Sequence, residues 1–235
     1  MKRWSHWLVS ALALALAVPG ALSAQEAPAP KPQPEIEAFE RYDAENSVPK
    51  GATLFVGSSS INYWKTAEAF PALTVVNRGF GGSTARELLQ YRDTLIFKYE
   101  PRTIVLYTGE NDIAEGAEPA GVIDTLGQLM KAIRATLPCA RVFYLSIKPS
   151  MSRIEQAGRQ RMVNAAMERS ARAGGGFDYV DAATVVLGRD GKPDDGLFMP
   201  DRLHLNERGY RLWIDLLGPR LADRRAGGMP AGCRT

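Results

Sequence analysis

The chain has 235 residues and a nearly balanced charge, with 29 lysines and arginines against 26 aspartates and glutamates. No basic run is interleaved with aromatic residues, so the sequence argues against a nucleic-acid partner. The two cysteines, Cys139 and Cys233, lack the paired short spacing of a zinc site. In an oxidising compartment they could form one disulfide. The sequence leaves open whether they do so or remain two free thiols.

The N-terminal residues have the pattern of a secretory signal peptide. A basic start at Met1–Arg3 precedes an apolar run from Leu8 to Val18, which Pro19 and Gly20 end before a stretch of small residues. The run is shorter than the ~20 residues needed to span a bilayer, which favours a cleaved signal over a membrane anchor. We therefore predict a signal peptide over residues 1–24, export to the periplasm or outside the cell, and no stable membrane insertion after cleavage.

A proline-rich segment follows the predicted signal peptide. Residues 25–34 contain four prolines and two alanines, a composition typical of an extended linker without a packed core. The remaining residues, 35–235, are enough for one domain with its own core and a short C-terminal tail, and they show no internal repeat.

Short β-rich runs alternate with helical patterns in the rest of the chain. The predicted strands are Thr53–Val56, Leu73–Val76, Thr103–Tyr107, Val142–Ile147 and Asp178–Val180. Because their apolar residues do not alternate strictly with polar ones, we expect strands buried on both faces of a sheet. The predicted helices run from Thr84 to Tyr99, from Pro119 to Leu137, from about Arg153 to Ala171, and from Asn206 to Leu221. This order predicts parallel βαβ units in a three-layer α/β domain.

Polar, glycine-rich turns follow the first three predicted strands. They are Gly57–Ser60, Arg78–Ser83 and Gly109–Asp112. In parallel sheets, ligands bind beyond the carboxyl ends of the strands. We therefore expect the three turns to meet at one functional site.

One histidine, His204, remains outside the predicted signal peptide. A serine hydroxyl becomes a nucleophile when a base takes its proton and a third group orients that base. His204 can be the base, and Asp201, three residues earlier, can orient it. The nucleophile should follow the first strand, where Ser58, Ser59 and Ser60 compete, although the turn lacks the final glycine of a Gly-x-Ser-x-Gly nucleophile elbow.

An acyl-transfer site also needs several hydrogen-bond donors for the oxyanion that forms when a carbonyl is attacked. The loop Arg78–Ser83 offers backbone N–H groups without obstructing side chains, just before a helix N-terminus that favours negative charge. Asn111 can add a carboxamide N–H. The alternative interpretation, a dinucleotide-binding loop, is rejected because Thr84 stands where its third glycine belongs.

Four blocks of the chain, in this order, resemble those of the SGNH (GDSL-type) hydrolase superfamily over about residues 52–221. The blocks are Phe55–Ile61, Asn77–Ser83, Gly109–Asp112, and the pair Asp201 and His204. The resemblance implies a catalytic triad of Ser59, Asp201 and His204, and an oxyanion hole made by the backbone N–H groups of Ser59 and Gly82 with the side chain of Asn111. It also implies a flavodoxin-like α/β/α sandwich with a five-stranded parallel sheet.

One residue departs from the superfamily's pattern. Its name motif has an aspartate immediately before the nucleophile, and this chain has Ser58 there, as in the Gly-Ser-Ser form of some branches. The replacement of this aspartate by serine affects how the turn is held in place, and Ser59 remains the implied nucleophile.

The resemblance further implies a serine hydrolase that cleaves carboxylic esters through an acyl-enzyme, with no metal and no organic cofactor. The expected substrate is a small-molecule, glycan or lipid ester, and the sequence leaves acyl chain length and oligomeric state open. Two alternatives remain. One is an acetyltransferase or deacetylase acting on O-acetylated envelope polysaccharide, and the other is a non-catalytic ligand-binding member of the fold.

Several larger side chains flank the predicted site and could shape a substrate pocket. They are Tyr63, Trp64, Met151, Arg153, Phe198 and Met199. The alternative for Trp64 and Phe198 is ordinary packing in the core. Arg153 could meet an anionic group, or it could simply be solvated.

Overall fold

The computed structural model describes residues 1, 34–223, 227, 228 and 233. Apart from Met1, the predicted signal peptide over residues 1–24 lies outside these residues, as does the predicted linker up to residue 33. Pro34, with which that predicted linker ends, is the first residue of a helix. Within residues 34–223, no helix combines the length and the apolar character needed to cross a membrane.

The described chain alternates strands and helices. The strands are β1 (Thr53–Gly57), β2 (Val75–Gly79), β3 (Thr103–Tyr107), β4 (Arg141–Leu145) and β5 (Asp178–Val180). The α-helices are α1 (Pro34–Glu45), α2 (Ser59–Asn62), α3 (Thr66–Ala69), α4 (Ala85–Gln90), α5 (Arg92–Leu95), α6 (Glu110–Ala114), α7 (Pro119–Thr136), α8 (Ala157–Arg172) and α9 (Glu207–Ala222). Short 3-10 segments are Phe97–Tyr99, Met151–Gln156, Thr184–Val186 and Asp195–Leu197.

The five strands form a parallel sheet in the order β2-β1-β3-β4-β5. This confirms the predicted five-stranded parallel sheet with flavodoxin-like topology. Gly57 at the end of β1 pairs with Gly79 in β2 and with Tyr107 in β3. The turns that follow these three strands therefore start from one edge of the sheet.

Side chains along the strands alternate between two hydrophobic cores. Leu54 and Val56 of β1 face one core, and Phe55 between them faces the other. Helices α1, α4, α5, α7 and α8 contribute buried residues to the first core, and α2 and α9 contribute to the second. Both faces of the sheet are thus covered, which explains the continuous apolar strands and gives the predicted three layers.

The second strand begins two residues later than predicted, and it continues through Arg78, which the sequence places in the following turn. The Arg78 guanidinium is buried. Its Nε donates to the Tyr99 hydroxyl (2.6 Å), and its Nη2 donates to Asp43 of α1 (2.5 Å). The end of this predicted strand was missed because the partners of the Arg78 side chain lie far away in the sequence.

The predicted helix from Thr84 to Tyr99 is broken into α4, α5 and a 3-10 segment. The break falls at Tyr91, whose backbone leaves helical geometry (φ −95°, ψ 19°). Leu95 and Ile96 are both fully buried, although successive residues of a straight helix point about 100° apart. Helix α5 ends between these two residues, where the backbone of Ile96 leaves helical geometry (φ −127°, ψ −60°).

The other predicted helices agree more closely with the structure. Helix α7 begins at Pro119, and α9 begins after its predicted N-cap, Asn206, whose side chain accepts from two backbone N–H groups. The helix predicted from about Arg153 starts as the 3-10 segment Met151–Gln156 and becomes α-helical at Ala157. Helix α1, in contrast, is not predicted by any sequence pattern.

Cys139, which precedes β4, forms a disulfide with Cys233, with their Cα atoms 5.4 Å apart. Of the two alternatives that the sequence leaves open, the structure therefore has the pairing. The bond links residues 94 positions apart.

Replacing Cys139 with serine is expected to lower the free energy of unfolding by about 4 kcal/mol, because a cross-link across so long a loop restricts the unfolded chain. The measurement is urea unfolding of the variant beside the wild type, each with and without reductant. Reductant should bring the wild type to the stability of the variant and leave the variant unchanged. A variant as stable as the oxidised wild type would contradict the pairing.

Candidate active site

Strand β1 ends at Gly57, a position where a residue with a side chain would be strained. Gly57 has φ +148°, and a Cβ there would overlap the carbonyl oxygen of Tyr107 on the neighbouring strand. The N–H of Ser58 donates to the same oxygen (3.1 Å). The chain therefore leaves the sheet in close contact with β3, and α2 begins at once with Ser59.

Burial distinguishes the three serines of this turn. Ser58 and Ser60 are 2% and 1% exposed, whereas Ser59 is partly exposed. The Oγ of Ser59 lies 2.8 Å from Nε2 of His204. This contact joins residues 145 positions apart, so the fold brings the serine-rich turn and the Asp-x-x-His segment together.

The other ring nitrogen of His204, Nδ1, lies 2.6 Å from Oδ2 of Asp201. Oδ1 of the same carboxylate accepts from the backbone N–H groups of Leu203 (2.9 Å) and His204 (3.0 Å). Because a carboxylate accepts hydrogen bonds, the proton of the neutral imidazole belongs on Nδ1, and Nε2 is left to accept from the Ser59 hydroxyl. Asp201, His204 and Ser59 thus form one hydrogen-bonded chain.

The Asp201 carboxylate is ionised at neutral pH. Burial acts to raise its pKa, but hydrogen bonds from the His204 ring and from the N–H groups of His204 and Leu203 outweigh burial and lower the pKa from 3.8 to about 2. Because the pKa in the folded state is the lower one, the group stabilises the fold above pH 3.8 and loses that contribution as the pH falls through about 2.

An unusual backbone conformation shapes the turn between Asp201 and His204. Arg202 has φ +54°, in the left-handed region that non-glycine residues seldom adopt. Its guanidinium forms a two-bond pair with Asp195 (3.0 and 2.7 Å), and its carbonyl oxygen accepts from the N–H of Ser152 (3.2 Å). These contacts hold the conformation that turns the Asp201 and His204 side chains toward each other.

Among the side chains predicted to flank the site, that of Tyr63 contacts His204 directly. Its ring lies edge-on to the His204 imidazole, with 4.8 Å between centroids, and its surface is 51% exposed. Trp64 and Phe198 are buried in the second core, which agrees with the packing alternative. Tyr63 is therefore the exposed aromatic residue next to His204.

The three predicted oxyanion donors follow the adjacent strands β1, β2 and β3. Within the described part of the chain, the backbone N–H groups of Ser59 and Gly82 donate to no acceptor. Gly82 has φ +72° and nothing close to the position of a Cβ. Nδ2 of Asn111 donates one hydrogen to the Ser83 carbonyl (2.9 Å), which places the carboxamide beside the Gly82 turn.

The N-terminus of α4, predicted to favour negative charge, already faces a carboxylate of the chain. Asp112 accepts from the N–H of Ala85 through both carboxylate oxygens (2.9 and 3.1 Å). Thr84 and Glu87 form the predicted capping box at the same helix end. Burial raises the pKa of Asp112, although the Ala85 N–H acts against it. A carboxylate of the chain itself therefore occupies this helix end.

A buried charged cluster that no sequence pattern predicts lies beside Asn111. Glu110, which the sequence places in a polar turn, accepts from the Tyr107 hydroxyl and from Nζ of the fully buried Lys148 (3.1 Å). Nη1 of Arg153 lies 3.3 Å from the other carboxylate oxygen. Burial, and then the Glu110 charge, raise the pKa of Tyr107 well above its ordinary value, so the phenol stays a hydrogen-bond donor.

Replacing Lys148 with methionine is expected to lower the free energy of unfolding by about 3–5 kcal/mol, because removing one partner leaves Glu110 buried with less compensation. Chemical unfolding is the measurement. Lys131→Met on the exposed face of α7 is the matched control and should cost about 0.5 kcal/mol or less. Adding Glu110→Gln to Lys148→Met should recover part of the loss, and a further loss of similar size would contradict the ion pair.

The sheet order and the four sequence blocks at its edge define the class of the protein as the SGNH (GDSL-type) hydrolase superfamily, as the resemblance implies. Residues 46–212 match the GDSL-like Lipase/Acylhydrolase family. The chain belongs to this family. It matches none of the curated proteins with which it was compared.

Solved structures share the fold. A GDSL-like lipase from Bacteroides thetaiotaomicron is 18% identical with a TM-score of 0.69, covering 80% of this chain and 97% of its own. A protein from Streptococcus pneumonia, whose description mentions platelet activating factor, is 23% identical with a TM-score of 0.71, covering 80% and 91%. An acetyl-xylooligosaccharide esterase from Geobacillus Stearmophilus is 14% identical with a TM-score of 0.61, covering 77% and 99%. At these identities the likeness concerns the fold alone.

Proposed function

We propose that this chain is a carboxylic-ester hydrolase in which Ser59 is the nucleophile, His204 the base and Asp201 the residue that orients the base. The observation that carries the proposal is the hydrogen-bonded chain from Asp201 Oδ2 through the His204 ring to Ser59 Oγ, with distances of 2.6 and 2.8 Å. Membership in an acylhydrolase family supports it. The partial exposure of Ser59, between two buried serines, also supports its assignment as the nucleophile.

In the proposed acylation step, Ser59 Oγ attacks the ester carbonyl carbon while Nε2 of His204 takes the hydroxyl proton. Asp201 stabilises the imidazolium that forms. The oxyanion of the tetrahedral intermediate accepts from the N–H groups of Ser59 and Gly82 and from Nδ2 of Asn111. The intermediate then expels the alcohol, which receives the proton from His204, and the acyl group stays on Ser59.

Deacylation repeats these events with water as the nucleophile. His204 takes a proton from water, the hydroxide oxygen attacks the acyl carbon, and the same donors hold the second oxyanion. Collapse of this intermediate breaks the bond to Ser59 Oγ, which regains its proton from His204, and the carboxylic acid leaves. No step uses a metal or an organic cofactor.

The proposal is tested with chromogenic p-nitrophenyl esters of increasing acyl length and with a fluorophosphonate probe that labels activated serines. We expect ester hydrolysis and a covalent label that peptide mass spectrometry locates on Ser59. If the folded wild type neither hydrolyses the esters nor takes the label, the chain is a non-catalytic binding member of the fold. The ester series also measures the preferred acyl length.

A second candidate is deacetylation of an O-acetylated saccharide, or transfer of the acetyl group. The exposed ring of Tyr63 beside His204 offers an aromatic surface at the point where an alcohol leaving group would lie. The esterase from Geobacillus Stearmophilus, which has this fold, acts on acetyl-xylooligosaccharides according to its name. Acetate release from such an oligosaccharide, with and without a sugar acceptor, distinguishes deacetylation from transfer.

We also propose that the protein is exported. The predicted signal peptide requires it, and the disulfide between Cys139 and Cys233 is a bond typical of oxidising compartments. Cell fractionation and the N-terminal mass of the purified protein test this. A cytosolic protein that retains residue 1 and has reduced cysteines would contradict the proposal.

A further inference from the structure

The segment that carries Arg153 contacts both the Asp201–His204 turn and Asn111. Its segment, Met151–Gln156, follows β4, and the residue before it, Ser152, donates its N–H to the Arg202 carbonyl in the Asp201–His204 turn (3.2 Å). The side chain of Arg153 itself contacts Asn111, because its Nη1 donates to Oδ1 of that residue (3.0 Å). With its side chain only 20% exposed, Arg153 is not simply solvated.

The partners of Asn111 determine which way its carboxamide faces. The Ser83 carbonyl accepts hydrogen bonds, so it must face the Asn111 amide nitrogen (2.9 Å). A guanidinium has donors alone, so Arg153 must face the amide oxygen. Turning the carboxamide over would set two acceptors against each other at Ser83 and two donors against each other at Arg153.

Orientation matters because the two ends of a carboxamide have opposite polarity. With Nδ2 toward the reaction centre, Asn111 has a second N–H that can donate to an oxyanion. With Oδ1 there, it would repel the same charge. In addition, a donor on Oδ1 polarises the amide and strengthens the hydrogen bonds that Nδ2 donates.

The buried cluster holds Arg153 in place. Oε1 of Glu110 lies 3.3 Å from Nη1 of Arg153, while the Tyr107 hydroxyl and Lys148 hold Oε2. These contacts fix the Glu110 carboxylate, which in turn holds the Arg153 guanidinium against Asn111. A charged group next to the oxyanion donor thus has a defined position without needing to touch the substrate.

We propose that Arg153 is a positioning residue that acts through Asn111, holding its carboxamide with Nδ2 toward the oxyanion. This inference rests on the proposed esterase mechanism. It predicts a loss in turnover that depends on the presence of Asn111. An arginine that recognised an anionic substrate would behave differently, because its loss would raise KM and would not depend on Asn111.

A double-mutant cycle tests this coupling. Asn111→Ala should lower kcat by about 10²- to 10³-fold, the typical effect of losing one oxyanion donor. Arg153→Met should lower kcat by about 10- to 100-fold, since misplacing a group costs less than deleting it, and should leave KM within about twofold. In the Asn111→Ala background, Arg153→Met should change kcat by no more than about twofold.

Two further variants control for charge and folding. Arg153→Lys retains a donor and should lose less turnover than Arg153→Met. Arg159→Met removes a neighbouring arginine that contacts Ala117 and Glu118 and should leave kcat within about twofold. Equal losses from Arg153→Met in both backgrounds, or no loss in the wild-type background, would overturn the inference.

A readout independent of activity separates this inference from the proposed function. The side-chain amide signals of Asn111 in ¹⁵N NMR spectra, assigned by their absence in Asn111→Ala, should shift in Arg153→Met and stay unchanged in Arg159→Met. If they shift but the wild type has no Ser59-dependent activity, the esterase proposal fails and the contact stands. If activity depends on Ser59 but neither the shift nor the coupling appears, the positioning role fails.

Discussion

Ser59→Ala is expected to lower kcat for ester hydrolysis by about 10⁶-fold, because the serine and the histidine of such a chain act as one unit and losing either removes covalent catalysis. His204→Ala should have a similar effect. Combining the two should add little to either single loss. The measurement is steady-state hydrolysis of a p-nitrophenyl ester, with protein at a concentration high enough to quantify residual turnover.

The neighbouring serines provide matched controls for this prediction. Ser58 and Ser60 lie in the same turn but are buried, so Ser58→Ala and Ser60→Ala should retain a measurable fraction of the activity and should not lose the fluorophosphonate label. Full activity in Ser59→Ala would show that another residue attacks the ester. Circular dichroism of each variant establishes that the fold is intact.

Asp201→Asn is expected to lower kcat by about 10⁴-fold, because an asparagine can donate to Nδ1 and thereby favour the imidazole tautomer with its proton on Nε2. That proton would face Ser59 Oγ, and the ring could no longer accept the hydroxyl proton. The wild-type carboxylate is ionised, with a pKa lowered to about 2, so the native tautomer is maintained throughout the neutral range. The expected loss falls on kcat, with KM largely unchanged.

Asp195→Asn is the matched control for the loss of Asp201. Asp195 pairs with Arg202 in the middle of the same turn, but it does not contact His204. We expect its loss to change kcat far less than the loss of Asp201. If Asp195→Asn and Asp201→Asn reduce kcat equally, the turn as a whole matters and no specific role of the Asp201 carboxylate is supported.

Elements with local signals agree well between sequence and structure. Strands β3 and β5 have the predicted bounds, because runs rich in β-forming residues are flanked there by turn-forming residues. The capping box at Thr84 and the N-cap at Asn206 form as predicted, since such caps need residues at most three positions away. The pairing of Asp201 with His204 has the same local character.

Elements whose signals are not local were missed. Arg78 extends β2 because Asp43 and Tyr99 bind its guanidinium, and neither partner is near it in the sequence. Glu110 looks like an ordinary polar turn residue until β4 brings Lys148 against it. A buried charge cannot be recognised from a sequence window that does not contain its partner.

The residue types by themselves determined a parallel α/β sheet, a site at the carboxyl edge of its strands and, outside the predicted signal peptide, one histidine that can act as a base, because these depend on local apolar patterns and on composition. The resemblance to the superfamily already implied Ser59 among the three adjacent serines, but only the tertiary structure decided how that serine meets the histidine and which charged groups hold Asn111. Those contacts join segments separated by up to 145 residues, and packing of the two cores on the sheet determines their distances.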